Sequence, residues 1–311
     1  MKEKAKVLVI VGPTASGKTS LSIELAKHFS GEVISADSRQ VYRGLNLGTG
    51  KVTKYEMQGI PHYLLDIADP EEVYTVASFV SDGRVAISTI ISRNHLPIIV
   101  GGTFFYIDAL LGKLSFPQIP PNPVLRTELK KLDANALFEL LKAEDPAYAE
   151  IVDRDNPRRL VRAIEVIDAL GHMPKTSVEP LYESLTLGIE TDTETLSKNI
   201  QKRLTDRIEA GMIKEVQKLH EHGLTYERME DLGLEYRYIA RYLKNELPYC
   251  EMINEIETKS RQFAKRQMTW LKRDKNIVWV NPKEIEKNEG VVKNFLNVPS
   301  TFNPASRFTG S

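Results

Sequence analysis

Residues 12–19 read GPTASGKT, and the spacing G-x-x-x-x-G-K-[ST] is that of a loop that wraps a phosphate in its own backbone. The glycines let successive N–H groups converge on phosphate oxygens. Lys18 adds a point charge, the Thr19 hydroxyl stands where it can ligate Mg2+, and the helix that follows offers its positive end. Gly12, Thr14, Ala15, Ser16, Gly17, Lys18 and Thr19 are therefore the candidate phosphate-binding residues. The loop establishes that a phosphate is held. Whether that phosphate is transferred, hydrolysed or expelled depends on the rest of the chain.

Enzymes that transfer or hydrolyse a terminal phosphate normally add a second strand ending in an Asp that helps to hold the metal. The most apolar later segment, LPIIV, ends instead in Gly101, Gly102 and Thr103. The acid stands elsewhere, at the end of EVISAD: Asp37, followed by Ser38, Arg39 and Gln40. In parallel sheets ligands gather beyond the carboxyl ends of the strands, which draws the glycine-rich loop, Asp37 and Thr103 toward one crevice. There Asp37 could bind Mg2+ or act as a base toward an acceptor. A plainer reading stays open, because Ser-Ala-Asp-Ser is a series of capping residues and Asp37 could simply cap a helix.

The elements that must position these groups alternate. Lys6 to Val11 is a β-branched apolar run ending at Gly12, which reads as a buried parallel strand. A mostly apolar helix follows Thr19 and ends at Gly31. Further strands are expected from Glu32 to Asp37, His62 to Asp69, Leu96 to Gly102, Ser184 to Thr191 and Ile277 to Val280, with helical spacing between and after them. That alternation is an α/β domain with a parallel sheet. Pro117, Pro120, Pro121 and Pro123 break it, and helical segments follow, the last with Pro157 in its first turn and Gly171 just past its end. The expected architecture is an α/β core over residues 1–116 and 181–298, interrupted by a small all-helical insertion at 117–180. A disordered polar tail is expected at 299–311.

The chain has 311 residues, 41% of them apolar and 27% charged, with 42 basic residues balancing 42 acidic ones. No whole-protein basic field exists, so a nucleic acid must be met by a local patch. Two patches are visible. Arg158 and Arg162 stand i, i+4 in NPRRLVR, beside Arg159. Farther on, Lys259, Arg261, Lys265, Arg266, Lys272 and Arg273 occur with no acid between them, interleaved with Gln262, Phe263, Gln267 and Trp270. Cations for phosphates and planar side chains for stacking suit RNA, although spacing favours a core position for Trp270. For both patches the competing reading is a solvated helix face. No apolar run reaches the ~18 residues of a membrane span, and the N-terminus lacks the pattern of a secretory or transit signal, so the cytosol is expected. The single cysteine, Cys250, excludes an internal disulfide and a cysteine-rich zinc site. The histidines show no metal-ligand spacing; His220 and His222 are separated by one residue.

Taken together, GPTASGKT, ISADSRQVYRGLNLGTGK and VGGTFFYIDALLG, with DNPRRLVRAIEV and KSRQFAKRQMTWLKR downstream, resemble the tRNA dimethylallyltransferase (tRNA isopentenyltransferase) family in its bacterial form. The resemblance runs from about Val7 to about Val280. It implies a P-loop NTPase-like core that transfers no phosphate. The loop from Gly12 to Thr19 would grip the diphosphate of dimethylallyl diphosphate as a leaving group, with Mg2+ at Thr19. The acceptor would be the exocyclic N6 of adenosine 37, in the anticodon loop of tRNA. Asp37 matches the family's base and Thr103 a threonine at its reaction channel. Ser38, Arg39 and Gln40 match, with Asp37, the segment that contacts the target adenosine. Arg158, Arg159 and Arg162 match a segment that holds tRNA, and Lys265, Arg266 and Gln267 are expected to do the same. Arg237 matches an arginine that reaches toward the diphosphate, although Glu235 replaces the glycine that precedes the family's tyrosine, Tyr236 here. A monomer is expected.

Three other functions compete. An adenylate isopentenyltransferase works on a free nucleotide and needs no tRNA grip, so the two basic patches argue against it. A small-molecule P-loop kinase would place an acid after LPIIV. A non-catalytic RNA-binding module would have no use for an intact set of Lys18, Thr19 and Asp37.

Overall fold

The computed structural model describes residues 4–114, 117, 119–174 and 179–297. The expected tail at 299–311 lies outside them. The chain divides into two compact units, one formed by Met1–Gly112 with Pro180–Ser311, the other by Lys113–Glu179.

The first unit opens with β1 (Lys6–Val11), α1 (Lys18–His28), β2 (Gly31–Ala36), α2 (Lys54–Met57), β3 (His62–Tyr63), α3 (Val76–Ser92), β4 (Leu96–Gly101) and α4 (Phe104–Leu110). The second unit holds α5 (Pro123–Leu129), α6 (Ala134–Glu144), α7 (Pro146–Ala149) and α8 (Pro157–Leu170). The chain then returns to the first unit through β5 (Glu183–Ile189), α9 (Thr193–Glu209), α10 (Met212–Glu221), α11 (Tyr226–Met229), α12 (Leu234–Leu243), α13 (Tyr249–Leu271), β6 (Val278–Val280) and α14 (Ile285–Asn297).

The six strands form one sheet in the order β3-β2-β4-β1-β5-β6, parallel throughout. Parallel sheets are covered on both faces, and β2 and β4 are accordingly buried along their whole length. Leu8, Ile10, Ile98 and Val100 pack against Leu21 and Leu25 of α1 and Val292 of α14. The alternate side chains of the same strands turn to the other face, where α3 and α4 lie on β2 and β4. The register matters for function: Val11 pairs with Gly101, and Gly101 with Ala36. The carboxyl ends of β1, β2 and β4 therefore lie level. The next residues in each chain segment are Gly12, Asp37 and Gly102.

The expected strand from His62 to Asp69 is shorter than its hydrophobicity suggests. His62 and Tyr63 pair with β2, then Leu64 and Asp66 adopt left-handed backbone (φ 62° and 54°) and turn the chain out of the sheet, leaving Ala68 in an isolated bridge with Tyr42. Residues of α9, α10, α12 and α13 form a second core with Val41, Tyr42 and Leu45, built on Met212, Val216, Tyr236, Ile239, Met252 and Ile256.

In the second unit, Asn122, Asp133, Asp145 and Asn156 cap the four helices, and prolines open α5, α7 and α8. Gly171, at φ 78°, ends α8. Leu137, Leu141, Leu160 and Ile164 form its core. Within it the Glu165 carboxylate, 2% exposed, accepts from Arg126 Nε at 2.7 Å, Arg126 Nη2 at 2.8 Å and the Asn122 N–H at 2.9 Å. Where the chain rejoins the first unit, the Leu181 N–H donates to the Leu111 carbonyl at 2.9 Å.

Candidate active site

Beyond the level ends of β1, β2 and β4 lies a cleft of about 420 Å3 lined by Thr14, Lys18, Thr19, Asp37 to Gln40 and Thr103. The three sequence-distant groups expected to converge do so, all within the first unit.

The glycine-rich loop bends through left-handed Ala15 (φ 62°) and Gly17 (φ 95°) into the start of α1. Side chains from elsewhere hold it: Asn199 Nδ2 donates to the Ala15 carbonyl at 3.2 Å, and Gln267 Oε1 accepts from the Thr14 N–H at 3.1 Å. Lys18 Nζ donates to the Pro13 carbonyl at 2.7 Å. Burial and the nearby Arg203 pull its pKa down from 10.5 to about 7, against a smaller opposing effect of Asp37. Ser16 Oγ is buried with no hydrogen-bond partner. A buried lysine and a buried hydroxyl without a partner face the same loop backbone, the donor set that suits a phosphate.

Asp37 Oδ1 accepts from the N–H groups of Arg39 at 2.8 Å and Gln40 at 3.3 Å. The capping reading is thus realised, on a turn rather than a helix, and it aims the carboxylate into the cleft. Thr103 Oγ1 accepts from the Ser38 N–H at 3.2 Å, and its own N–H donates to the Ala36 carbonyl at 3.2 Å, so the ends of β2 and β4 are stitched together. Gln40 is spent internally: its amide bridges Ser35 Oγ at 3.4 Å and the Gly50 carbonyl at 3.3 Å. Arg39 lines the cleft.

Arg237 also lines the cleft, but its guanidinium is tethered, donating to the Glu230 carbonyl at 3.0 Å and pairing with the Glu230 carboxylate at 3.1 Å. Two arginines that no motif singles out stand on the same wall, Arg203 and Arg207 of α9. Their i, i+4 spacing in KRLTDR is the signal available in sequence, the same as that of Arg158 and Arg162. Arg203 lies against Gly50, whose backbone has φ 60°. Arg207 donates to the carbonyls of Leu47 and Gly48, both at 3.1 Å, and to Glu235 at 2.9 Å.

The basic run of α13 separates into two faces. Lys265 and Arg266 are exposed, and Arg266 lines the cleft with its guanidinium 5.9 Å from the Phe263 ring centre. Gln267 is 6% exposed and lines the cleft from the buried stripe of the helix. Trp270, expected in the core, is 37% exposed and stacks on buried Phe104 at 4.8 Å. In the second unit Arg158 and Arg159 are exposed, Arg159 lying 3.6 Å from Asp153. Arg162, its side chain 35% exposed, donates to Glu165 at 3.3 Å and to the Ile119 carbonyl at 2.8 Å. Among the described residues no group of three or more His, Cys, Asp or Glu could hold a metal, and no helix is long and apolar enough to cross a membrane.

A sequence model of the IPP transferase family matches residues 40–274, and one of the isopentenyl transferase family matches residues 5–71. The chain is 43% identical over 270 residues to tRNA dimethylallyltransferase 1 of Geotalea uraniireducens, covering 86% of this chain and 88% of that protein. It is 38% identical over 306 residues to the tRNA dimethylallyltransferase of Acetivibrio thermocellus, covering 95% and 98%. The crystal structure of the full-length tRNA isopentenylpyrophosphate transferase of Bacillus halodurans superposes with a TM-score of 0.73 at 34% identity, over 94% of this chain and 97% of that one. A eukaryotic dimethylallyltransferase acting on tRNA superposes with a TM-score of 0.81 at 26% identity, over 94% and 79%. With a six-stranded parallel α/β core, a glycine-rich loop at its carboxyl edge and matches across most of its length, the chain belongs to the IPP transferase family.

Proposed function

We propose that the protein transfers the dimethylallyl group of dimethylallyl diphosphate to N6 of adenosine 37 in tRNA, releasing diphosphate. The observation that carries this reading is the level alignment of Val11, Ala36 and Gly101, which sets the glycine-rich loop across one cleft from a carboxylate and a hydroxyl. In the reaction the bond from the allylic carbon to the diphosphate oxygen breaks, the bond from that carbon to N6 forms, and one N6 proton leaves.

Each side chain has a task. The loop N–H groups, Lys18 and Arg203 meet the charge that gathers on the departing diphosphate. One well-aimed donor of this kind is worth about 3 kcal/mol, or about 100-fold in rate. Ser16 Oγ supplies a further donor. N6 is a poor nucleophile because its lone pair is delocalised into the ring, so Asp37, fixed by its turn, accepts the proton as the new bond forms. Thr103 holds the Asp37 turn against the end of β4. Arg39, Arg266 and the exposed Arg158, Arg159 and Lys265 offer cations to RNA phosphates. The target base leaves the loop stack to reach the cleft, as in other base-modifying enzymes.

Magnesium takes few protein oxygens and completes its shell with water and substrate phosphate. The Thr19 hydroxyl on the cleft wall suits such a site. Bound there, the ion would supply charge neutralisation to the leaving diphosphate.

The test is direct. The protein is incubated with Mg2+, labelled dimethylallyl diphosphate and unmodified tRNA bearing adenosine 37, with AMP as the parallel acceptor. Label in tRNA supports the proposal. Label in AMP alone identifies an adenylate isopentenyltransferase, and label in neither refutes prenyl transfer.

A further inference from the structure

We propose that Gln267 is a positioning residue for the diphosphate half of the cleft, holding the phosphate loop and the Gly102–Thr103 turn in register, and that it takes no part in gripping RNA. The proposal rests on the prenyl-transfer reading above. Gln267 stands in the basic run of α13, between Arg266 and Met268, where sequence groups it with the RNA-facing cations.

The helix places it otherwise. The buried residues of α13 are Met252, Ile256, Ser260, Ala264, Gln267 and Leu271, a stripe at steps of three and four, and Gln267 belongs to it. Its neighbours Lys265 and Arg266 are exposed. Both ends of its amide are committed: Oε1 accepts from the Thr14 N–H at 3.1 Å, and Nε2 donates to the Gly102 carbonyl at 3.0 Å. Those two bonds fix which way the amide faces. Glycine at position 102 permits this close approach, since a Cβ there would meet Nε2 and push the amide away from its partners. Gly102 precedes Thr103, whose hydroxyl holds the Asp37 turn. One amide thus spans the loop that takes the diphosphate and the turn that braces the base.

The loop needs such an anchor. Ala15, next to Thr14, sits in left-handed backbone, which a residue other than glycine adopts only when its surroundings impose it. Removing the amide leaves a partly buried N–H and C=O without partners, and the loop relaxes to satisfy them.

The test separates the two halves of the site. Steady-state kinetics with dimethylallyl diphosphate and tRNA are measured for the wild type, Gln267→Leu, Gln267→Glu and Lys265→Ala, with tRNA affinity measured by filter binding without donor. Gln267→Leu is expected to raise KM for the donor by about tenfold or more while tRNA affinity stays within about twofold. Lys265→Ala is expected to do the reverse. Gln267→Glu keeps an acceptor for Thr14, cannot donate to Gly102 and adds an anion; it serves if the leucine variant fails to fold, with the same expectation. Weakened tRNA binding with an unchanged donor KM overturns the proposal, as does no change in either. If the wild type transfers no prenyl group, the functional reading fails separately. Calorimetry with inorganic diphosphate then decides: weaker binding by a Gln267 variant supports the anchor, and equal binding overturns it.

Discussion

Arg207 and Glu235 form an ion pair of 2.9 Å on the cleft wall, each with 18% of its side chain exposed. Glu235 stands where the family resemblance places a glycine, and its carboxylate steadies the guanidinium that holds the Leu47 and Gly48 carbonyls. Glu215 holds the same loop from the other side, accepting from the N–H groups of Leu47 at 2.7 Å and Gly48 at 3.0 Å. Glu235→Gln is expected to loosen this wall and lower kcat/KM. A double-mutant cycle with Arg207→Met should give a coupling of about 1–3 kcal/mol; a coupling near zero would show that the pair does not support the loop.

Asp37 is both a turn cap and the proposed base, and one substitution separates the two. Asn retains an oxygen that can accept from Arg39 and Gln40 but cannot take a proton from N6. Asp37→Asn should therefore keep the wild-type Tm and lose about 10²- to 10⁴-fold in kcat. A variant that is active but unstable would leave Asp37 as a cap only.

The proposed contact of Lys18 with diphosphate should make binding pH-dependent. Its pKa in the folded protein, about 7, lies below the ordinary 10.5, so folding disfavours the ammonium and the ligand-free protein gains stability as pH rises through that window. Bound diphosphate favours the ammonium again, so binding above about pH 7 takes up a proton. Affinity for inorganic diphosphate, corrected for its own ionisation, should fall by up to about tenfold per pH unit above that point. Lys18→Arg should flatten the profile; a profile that is flat in the wild type would contradict the reading.

The second unit depends on Glu165. Burial alone would raise its carboxyl pKa, but bonds from Arg126, Asn122 and Arg162 outweigh burial and hold it below the usual range. A depressed carboxylate contributes stability above its ordinary pKa, and that contribution is lost as pH falls through the lowered value. Arg126→Ala removes two bonds to a buried carboxylate while Asn122 and Arg162 still donate to it, and should cost about 1–3 kcal/mol. Scanning calorimetry should show the variant unfolding earlier, with loss of tRNA affinity and retention of diphosphate binding.

Much of this was legible in residue order, and the exceptions have physical causes. The phosphate loop, the strands beside it and the position of Asp37 follow from local pattern, because buried parallel strands are continuous apolar runs. The helical insertion declares itself through prolines and capping residues. The short β3 did not, since left-handed Leu64 carries no glycine to mark it. Arg203 and Arg207 escaped because they lie in a helix whose polar residues look like an ordinary solvated face. Gln267 lies among cationic and polar neighbours that suggest an outward role, whereas helical phase places it in the buried stripe of α13, and part-exposed Arg162 is bonded to Glu165 and the Ile119 carbonyl. Residue type identified the chemistry, and only three-dimensional phase assigned the side.

The hydrogen bond between Leu181 and Leu111 closes the stem from which the helical insertion departs. A segment whose two ends meet is a detachable module: it can be lengthened, exchanged or cut away without unthreading any strand of the sheet. Replacing it with a short flexible linker should leave a chain that still folds around its phosphate loop. The architecture therefore lets the helical insertion change in length and surface without disturbing the sheet that carries the glycine-rich loop.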